Sequence, residues 1–273
     1  MRFKLAILML TFIAVACSSG GDVATTTKKA DIHYSYGTQE LLNKNYTQAI
    51  THLLQAAQLD PKNPEVHNNL GMAYYFKGEK EQAMAHIRKA LELNPKNTDA
   101  AVNLASLLFE RGDMAGAEKQ YLRALKDHTY EKHARTYFNL SLIELRRRNT
   151  TKALAYLDSS VKSEEAYCPA WFQKGMIDFQ MRRFKDALGH FHKAQMGTCV
   201  SDPAPLYWQA ATEIEMGNYL NARMKLDDLQ TRFGNTNYGS MAQQKLSELN
   251  ILENDPNRSP GQTSSKPAMT PSF

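Results

Sequence analysis

The sequence predicts an all-α fold, a right-handed superhelical solenoid of about six helical hairpins closed by one further helix. Two observations carry this prediction. A fixed set of small and large residues returns every 34 to 36 positions between residue 30 and about residue 230. The composition, 42% hydrophobic and 10% aromatic with 22% charged, is that of a chain able to bury a core. Both ends depart from the repeat and are read separately.

Arg2 and Lys4 precede an apolar run from Leu5 to Ala16. A basic start, a short apolar stretch and small residues at its end make residues 1–16 a secretory signal peptide. The run is shorter than the roughly 20 residues a membrane-spanning helix needs. Ala14-Val15-Ala16-Cys17 resembles the bacterial lipobox, departing from it at Ala14, where leucine is usual. The resemblance implies that Cys17 is lipidated and that the mature chain hangs from a membrane. Ser18 in place of an aspartate implies the outer one, with the folded part facing the periplasm. Residues 17–29 then read as a flexible tether, opening on Ser18-Ser19-Gly20-Gly21. Loss of Arg2 and Lys4 with the signal lowers the net charge from +5 to +3.

The solenoid is expected over residues 30–252. With Pro64 as position 1, the clearest unit places His67 at position 4, Leu70-Gly71 at 7 and 8, and Tyr74 at 11. Its second half has Ala83 at 20, Ile87 at 24, Ala90 at 27 and Pro95 at 32. This is the spacing of the tetratricopeptide pattern. The preceding copy has Gly37, Ala49, Leu53, Ala56 and Pro61, and the following one Leu104-Ala105, Leu108, Ala117, Tyr121 and Ala124. Two residues are inserted near His128–His133, and a fourth copy follows with Leu140-Ser141, Ala153 and Leu157. Trp171, Gly175, Ala187, Phe191 and Ala194 make the fifth, and Leu206, Ala210, Tyr219, Ala222 and Leu226 a slightly longer sixth. Small residues at 8, 20 and 27 let helices approach closely, and large ones at 4, 7, 11 and 24 fill the space between. A lone hairpin cannot bury its apolar face, so stacking supplies the core. Tyr238 to Leu252 reads as the capping helix. Residues 253–273 carry four of the ten prolines and no apolar periodicity, which predicts a disordered tail.

The chemistry of enzymes is missing from this pattern. None of the eight histidines forms H-E-x-x-H, and no C-x₂-C is present. Ser159-Ser160-Val161-Lys162 matches S-x-x-K without its companion motifs. The expectation is a non-enzyme without cofactor, metal or small-molecule substrate. Arg146-Arg147-Arg148 ends a helix, where cations are favoured, and does not predict nucleic-acid binding. Cys168 and Cys199 fall at positions 1 and 32 of the fifth copy, the same open end of one hairpin, so a disulfide is expected in an oxidising compartment.

Positions 2, 5, 9 and 12 of each first helix line the inner face of such a superhelix. They hold Tyr34 in the first copy, Asn68, Met72 and Tyr75 in the second, and Phe109 in the third. Phe138 and Leu142 follow in the fourth, Phe172, Met176 and Phe179 in the fifth, and Tyr207 and Ile214 in the sixth. This aromatic and Met-rich lining predicts a groove for an amphipathic helix or an extended apolar segment of another protein.

A lipobox, a tether and six tetratricopeptide copies together resemble the type IV pilus biogenesis lipoproteins that act as pilotins of the outer-membrane secretin. The resemblance spans about residues 1 to 250 and includes Tyr130-Glu131-Lys132 leading into Tyr137-Phe138-Asn139-Leu140. It implies a scaffold that binds secretin subunits and promotes their targeting and multimerisation. The rival expectation is a general periplasmic scaffold lipoprotein that organises envelope assembly or regulates a periplasmic enzyme.

Overall fold

The computed structural model describes residues 19–196 and 199–253, which form thirteen helices and no strand. The predicted signal peptide, Cys17 and residues 254–273 of the predicted tail lie outside the described residues. Twelve helices pair as hairpins: α1 (Ser19–Leu42) with α2 (Tyr46–Leu59), α3 (Pro64–Lys77) with α4 (Lys80–Leu93), and α5 (Thr98–Glu110) with α6 (Met114–Ala124). Then come α7 (His133–Arg146) with α8 (Thr150–Ser163), α9 (Cys168–Gln180) with α10 (Phe184–Ala194), and α11 (Pro203–Glu215) with α12 (Tyr219–Phe233). The last helix is α13 (Asn237–Glu253).

The chain divides after Gln120, within α6, into two compact units. In the first, α1 to α5 pack each on the next. In the second, α7 to α12 do the same, and α13 lies on α12 and α11. Contacts between sequence neighbours dominate, as in a solenoid.

The stretch expected as a tether is a correction. Residues 19–29 continue α1 as helix, and packing begins only at Ala30, which is buried while Ala24 to Lys29 are exposed. No proline interrupts the backbone hydrogen bonding between Ser19 and Leu42, so the helix extends past its own packing surface.

Several helices begin on the residue that suits a start. Asn63 accepts from the amides of Glu65 and Val66 with Pro64 in the first turn, and Asn97, Asn149 and Asp202 cap α5, α8 and α11 in the same manner. Turns between paired helices share one geometry. The amide of the residue before each second helix donates back to the carbonyl five residues earlier: Asn45 to Glu40, Glu79 to Tyr74, Asp113 to Leu108, Asn149 to Glu144, Arg183 to Asp178 and Asn218 to Glu213. This is the closure expected where a left-handed residue ends a helix. That residue is Lys44, Gly78, Gly112, Arg148, Arg182 and Gly217 in turn, with φ between 58° and 89°.

The side chains repeat the closure. Glu144, Asp178 and Glu213 stand at position 11, expected to hold large residues, and are buried. Each is satisfied from the turn. Asn149 Nδ2 donates to Glu144 at 3.1 Å and Asn218 Nδ2 to Glu213 at 2.9 Å. Arg183 Nε donates to Asp178 at 2.9 Å, and Glu40 accepts from Asn45 at 2.7 Å. Arg147 and Lys152 add charge to Glu144, and His190 Nδ1–H donates to Asp178 at 2.7 Å. A buried carboxylate persists because it is paired and hydrogen-bonded.

Between paired helices the large residue at position 24 rests on the backbone at position 8. A Cβ on Gly37, Gly71 or Gly175 would stand 2.6, 2.5 and 2.6 Å from Leu53, Ile87 and Phe191 respectively. The alanines at position 20, Ala49, Ala83, Ala117, Ala153, Ala187 and Ala222, are all fully buried.

Two stability measurements check this account. Gly175→Ala should destabilise by about 1–3 kcal/mol in urea titrations, because the fully buried Phe191 ring has no room to retreat. Arg182→Gly should stabilise by roughly 0.5–1 kcal/mol, since the left-handed cost of a residue with a Cβ exceeds the entropy glycine adds to the unfolded chain.

Candidate protein-interaction site

In the first unit the predicted face is half apolar and half amide. Tyr34, Met72, Tyr75 and Phe109 are half-buried, so one side of each remains open. Asn68 is buried, with its Oδ1 accepting from Asn103 Nδ2 at 2.9 Å, and is removed from the accessible lining. Asn69 Nδ2 donates to Thr38 Oγ1 at 3.0 Å and to Tyr34 Oη at 3.3 Å. Side-chain amides thus tie α1, α3 and α5 together along this face. Tyr75 donates its hydroxyl to Glu110, which also accepts from Lys80 at 2.9 Å.

In the second unit Phe138, Leu142, Phe172 and Ile214 are half-buried. Phe138 meets the edge of Tyr167 at 5.8 Å, and Phe172 leans on Phe191 at 5.7 Å. Three predicted lining residues belong to the core instead: Met176, Phe179 and Tyr207 are 4%, 3% and 2% exposed. Trp208 is the cause for Phe179, standing against it at 5.2 Å between ring centres. Tyr207 is covered by Tyr238 of α13 at 5.5 Å. Burial, then Glu248 and Tyr238, push the Tyr207 hydroxyl up to about 12.

Sequence reasoning missed the amide row of the first unit and the ring of Trp208. A signal for the first was present: Asn69, Asn103 and Asn139 occupy position 6 of three consecutive copies. Cys168 and Cys199 do come together, with Cα atoms 6.2 Å apart, within the span of a disulfide. Among the described residues no group of three or more histidine, cysteine, aspartate or glutamate side chains is arranged to hold a metal, and no helix is long and apolar enough to cross a membrane.

Models of the tetratricopeptide repeat match residues 64–97 and 81–136, and a model described as TPR repeat matches 40–78. No curated protein matches the chain. Among solved structures, one described as the functional characterization of Pseudomonas aeruginosa PilF superposes with a TM-score of 0.68 at 19% identity, covering 82% of this chain and 99% of that one. PilW, described as a widely conserved type IV pilus biogenesis factor, gives 0.69 at 21% identity, covering 80% and 98%. MamA gives 0.51 at 20% identity, covering 72% and 96%.

Raising the pH from 10 to 12 tests the burial of Tyr207. Its folded value lies above the ordinary tyrosine value of 10, so the folded state holds the proton more tightly and stability falls across that window. Tyr207→Phe should flatten the decline, as followed by circular dichroism. By its repeats and its thirteen described helices, the chain is a solenoid of tetratricopeptide hairpins, alike in fold to PilF and to the pilus biogenesis factor PilW.

Proposed function

We propose that the chain is an outer-membrane lipoprotein that binds secretin subunits and promotes their targeting and multimerisation for type IV pilus assembly. The observation that carries the reading is the extent of the likeness. PilW and PilF match over 98% and 99% of their own lengths, so the likeness takes in nearly the whole of each neighbour rather than a few repeats. The lipobox-like Ala14-Val15-Ala16-Cys17 supports attachment through Cys17. Within this reading the half-buried Phe138, Leu142 and Phe172 of the second unit receive the secretin segment. Apolar side chains of this kind suit an amphipathic partner.

A strain lacking the gene should lose secretin multimers and surface pili. Intact multimers with altered cell-wall turnover would instead favour the general envelope scaffold. In purified protein, Phe138→Glu with Phe172→Glu should abolish secretin capture and leave the helical spectrum unchanged. Capture by that double variant at the original level would refute the face.

The same compartment bears on the cysteines. A Cys168–Cys199 bridge, closing a loop with sequence separation 31, would contribute about 3–4 kcal/mol by the chain-entropy relation. Peptide mapping without reductant should recover the two cysteines as one linked pair, and Cys168→Ser should lower the melting temperature. Recovery of two free thiols from protein isolated in its own compartment would remove the bridge.

A further inference from the structure

Within a stack of hairpins the turns joining paired helices share one edge, because successive first helices run parallel. In the second unit that edge carries an excess of positive charge. Residues 144–152 hold four cations against one carboxylate, and residues 178–186 hold three against two. The sixth hairpin does not share the excess: residues 213–220 contain two carboxylates and no cation. The charge is confined to two consecutive turns.

Part of it is committed inside the fold. Arg147 and Lys152 serve the buried Glu144 at 2.9 and 3.0 Å, and Arg183 serves the buried Asp178. Arg148, Arg182 and Lys185 are exposed, and among the described residues no carboxylate lies within ion-pair distance of them. Arg182 rests over the Phe184 ring, 5.4 Å from its centre, which holds it at the surface. In the first unit the turn cations are matched instead: Lys77 pairs with Glu79 at 3.1 Å and Lys80 with Glu110 at 2.9 Å.

The backbone adds an independent observation. Position 15 is the left-handed residue of each turn, and Gly78, Gly112 and Gly217 show which residue fits it without strain. Arg148 and Arg182 take it with φ of 61° and 58°. A residue with a Cβ is held there at a cost in stability. The helix end does not require it, since α7 already has Arg146 in its last turn and Arg147 at its cap. Strain kept in two neighbouring turns, where an unpaired cation stands in each, points to a use for those cations.

Their number selects the partner. Nucleic acid is held through roughly 6–10 phosphate contacts, and an anionic membrane surface through about 4–8 clustered cations. Three cations suit a short run of carboxylates. The chain's own end is not such a run, because residues 254–273 hold Asp255 against Arg258 and Lys266. Met181, 50% exposed beside Arg182, offers an apolar contact to the stems of acidic side chains. We propose that the turns of the fourth and fifth hairpins form a docking edge for a short acidic segment of another protein, whose carboxylates pair with Arg148, Arg182 and Lys185. This edge is separate from the inner face and does not rest on the secretin reading. Exposed ion pairs are individually weak, so the docking is reversible and sensitive to salt.

The test is fluorescence anisotropy of labelled hexaglutamate on the purified full chain, with hexaglutamine as the control. Only hexaglutamate should bind, and roughly tenfold more weakly at high than at low salt. Arg148→Gly with Arg182→Gly should weaken binding roughly tenfold while raising resistance to urea, so that lost binding is not lost fold. Arg148→Lys with Arg182→Lys keeps the charge, in a backbone place that Lys44 shows lysine can take, and should keep binding within about threefold. Lys44→Gly, the same change in the first unit, should leave it unaltered. Sedimentation with phosphatidylglycerol vesicles, and the mass of the chain in solution, should be the same for the unaltered chain and the double glycine variant. No binding of hexaglutamate, equal binding by the double glycine variant, or vesicle binding or self-association that this variant abolishes would each overturn the proposal.

Discussion

The close seat of one large side chain on bare backbone sets the geometry of three of the six hairpins. Leu53, Ile87 and Phe191 press against Gly37, Gly71 and Gly175 at distances that leave no space for a Cβ. Where position 8 holds alanine or serine, as at Ala105, Ser141 and Ala210, the residue is still small and buried. Because the first and second helices of a hairpin, helices A and B, touch there, the side chains flanking the seat are held in fixed directions. Alanine at position 20 then follows from the same contact, one turn before the large residue. Stacking of hairpins adds no new principle: it repeats the small-against-large contact at position 27, where Ala56, Ala90 and Ala194 are fully buried.

The turn must deliver helix B onto that seat, and it does so with backbone and carboxylate together. A left-handed residue reverses the chain, and the amide that follows caps helix A from five residues downstream. Burying Glu144 or Asp178 there would be costly alone. Charged and amide donors from the start of helix B turn that cost into a fixed angle between the two helices. The arrangement explains why Arg147 is not part of a free basic cluster: it is committed to Glu144.

The core was legible in the sequence because steric slots recur with the period of the fold. Ala83, Ile87 and Gly71 can be read as packing residues from spacing alone. The turns were not, since Lys44, Arg148 and Arg182 are residue types that say nothing of positive φ, and only Gly78, Gly112 and Gly217 advertise it. Position 11 was misread for a related reason: Glu213 and Asp178 look like surface carboxylates until their partners five residues on are counted. Of the lining expected in the first unit, Tyr34, Met72, Tyr75 and Phe109 are half-buried and Asn68 is buried. Tyr207 and Phe179 were lost to the core by Tyr238 and Trp208, whose positions lie outside the lining pattern. Slot rules describe a repeat among repeats, and a last hairpin covered by α13 has no such neighbour.

The frame also divides what each hairpin leaves free to vary. Positions 8, 20, 24 and 27 are constrained by packing, whereas positions 4 and 23 vary more widely, with a pair of rings in four hairpins and Ala101 with Gln120 or Leu206 with Lys225 in the others. Tyr137–Tyr156, Trp171–His190 and His67–His86 fill these positions with three different chemistries, at 6.4, 5.5 and 5.5 Å between ring centres. His190 turns its Nδ1 to the carboxylate of Asp178, where burial still holds it below the ordinary histidine value. In the second hairpin position 11 is Tyr74, which offers a ring and no carboxylate, so His86 turns to His67 instead. A carboxylate at position 11 does not by itself lock the histidine: in the first hairpin Glu40 accepts from Asn45, and His52 lies against His33.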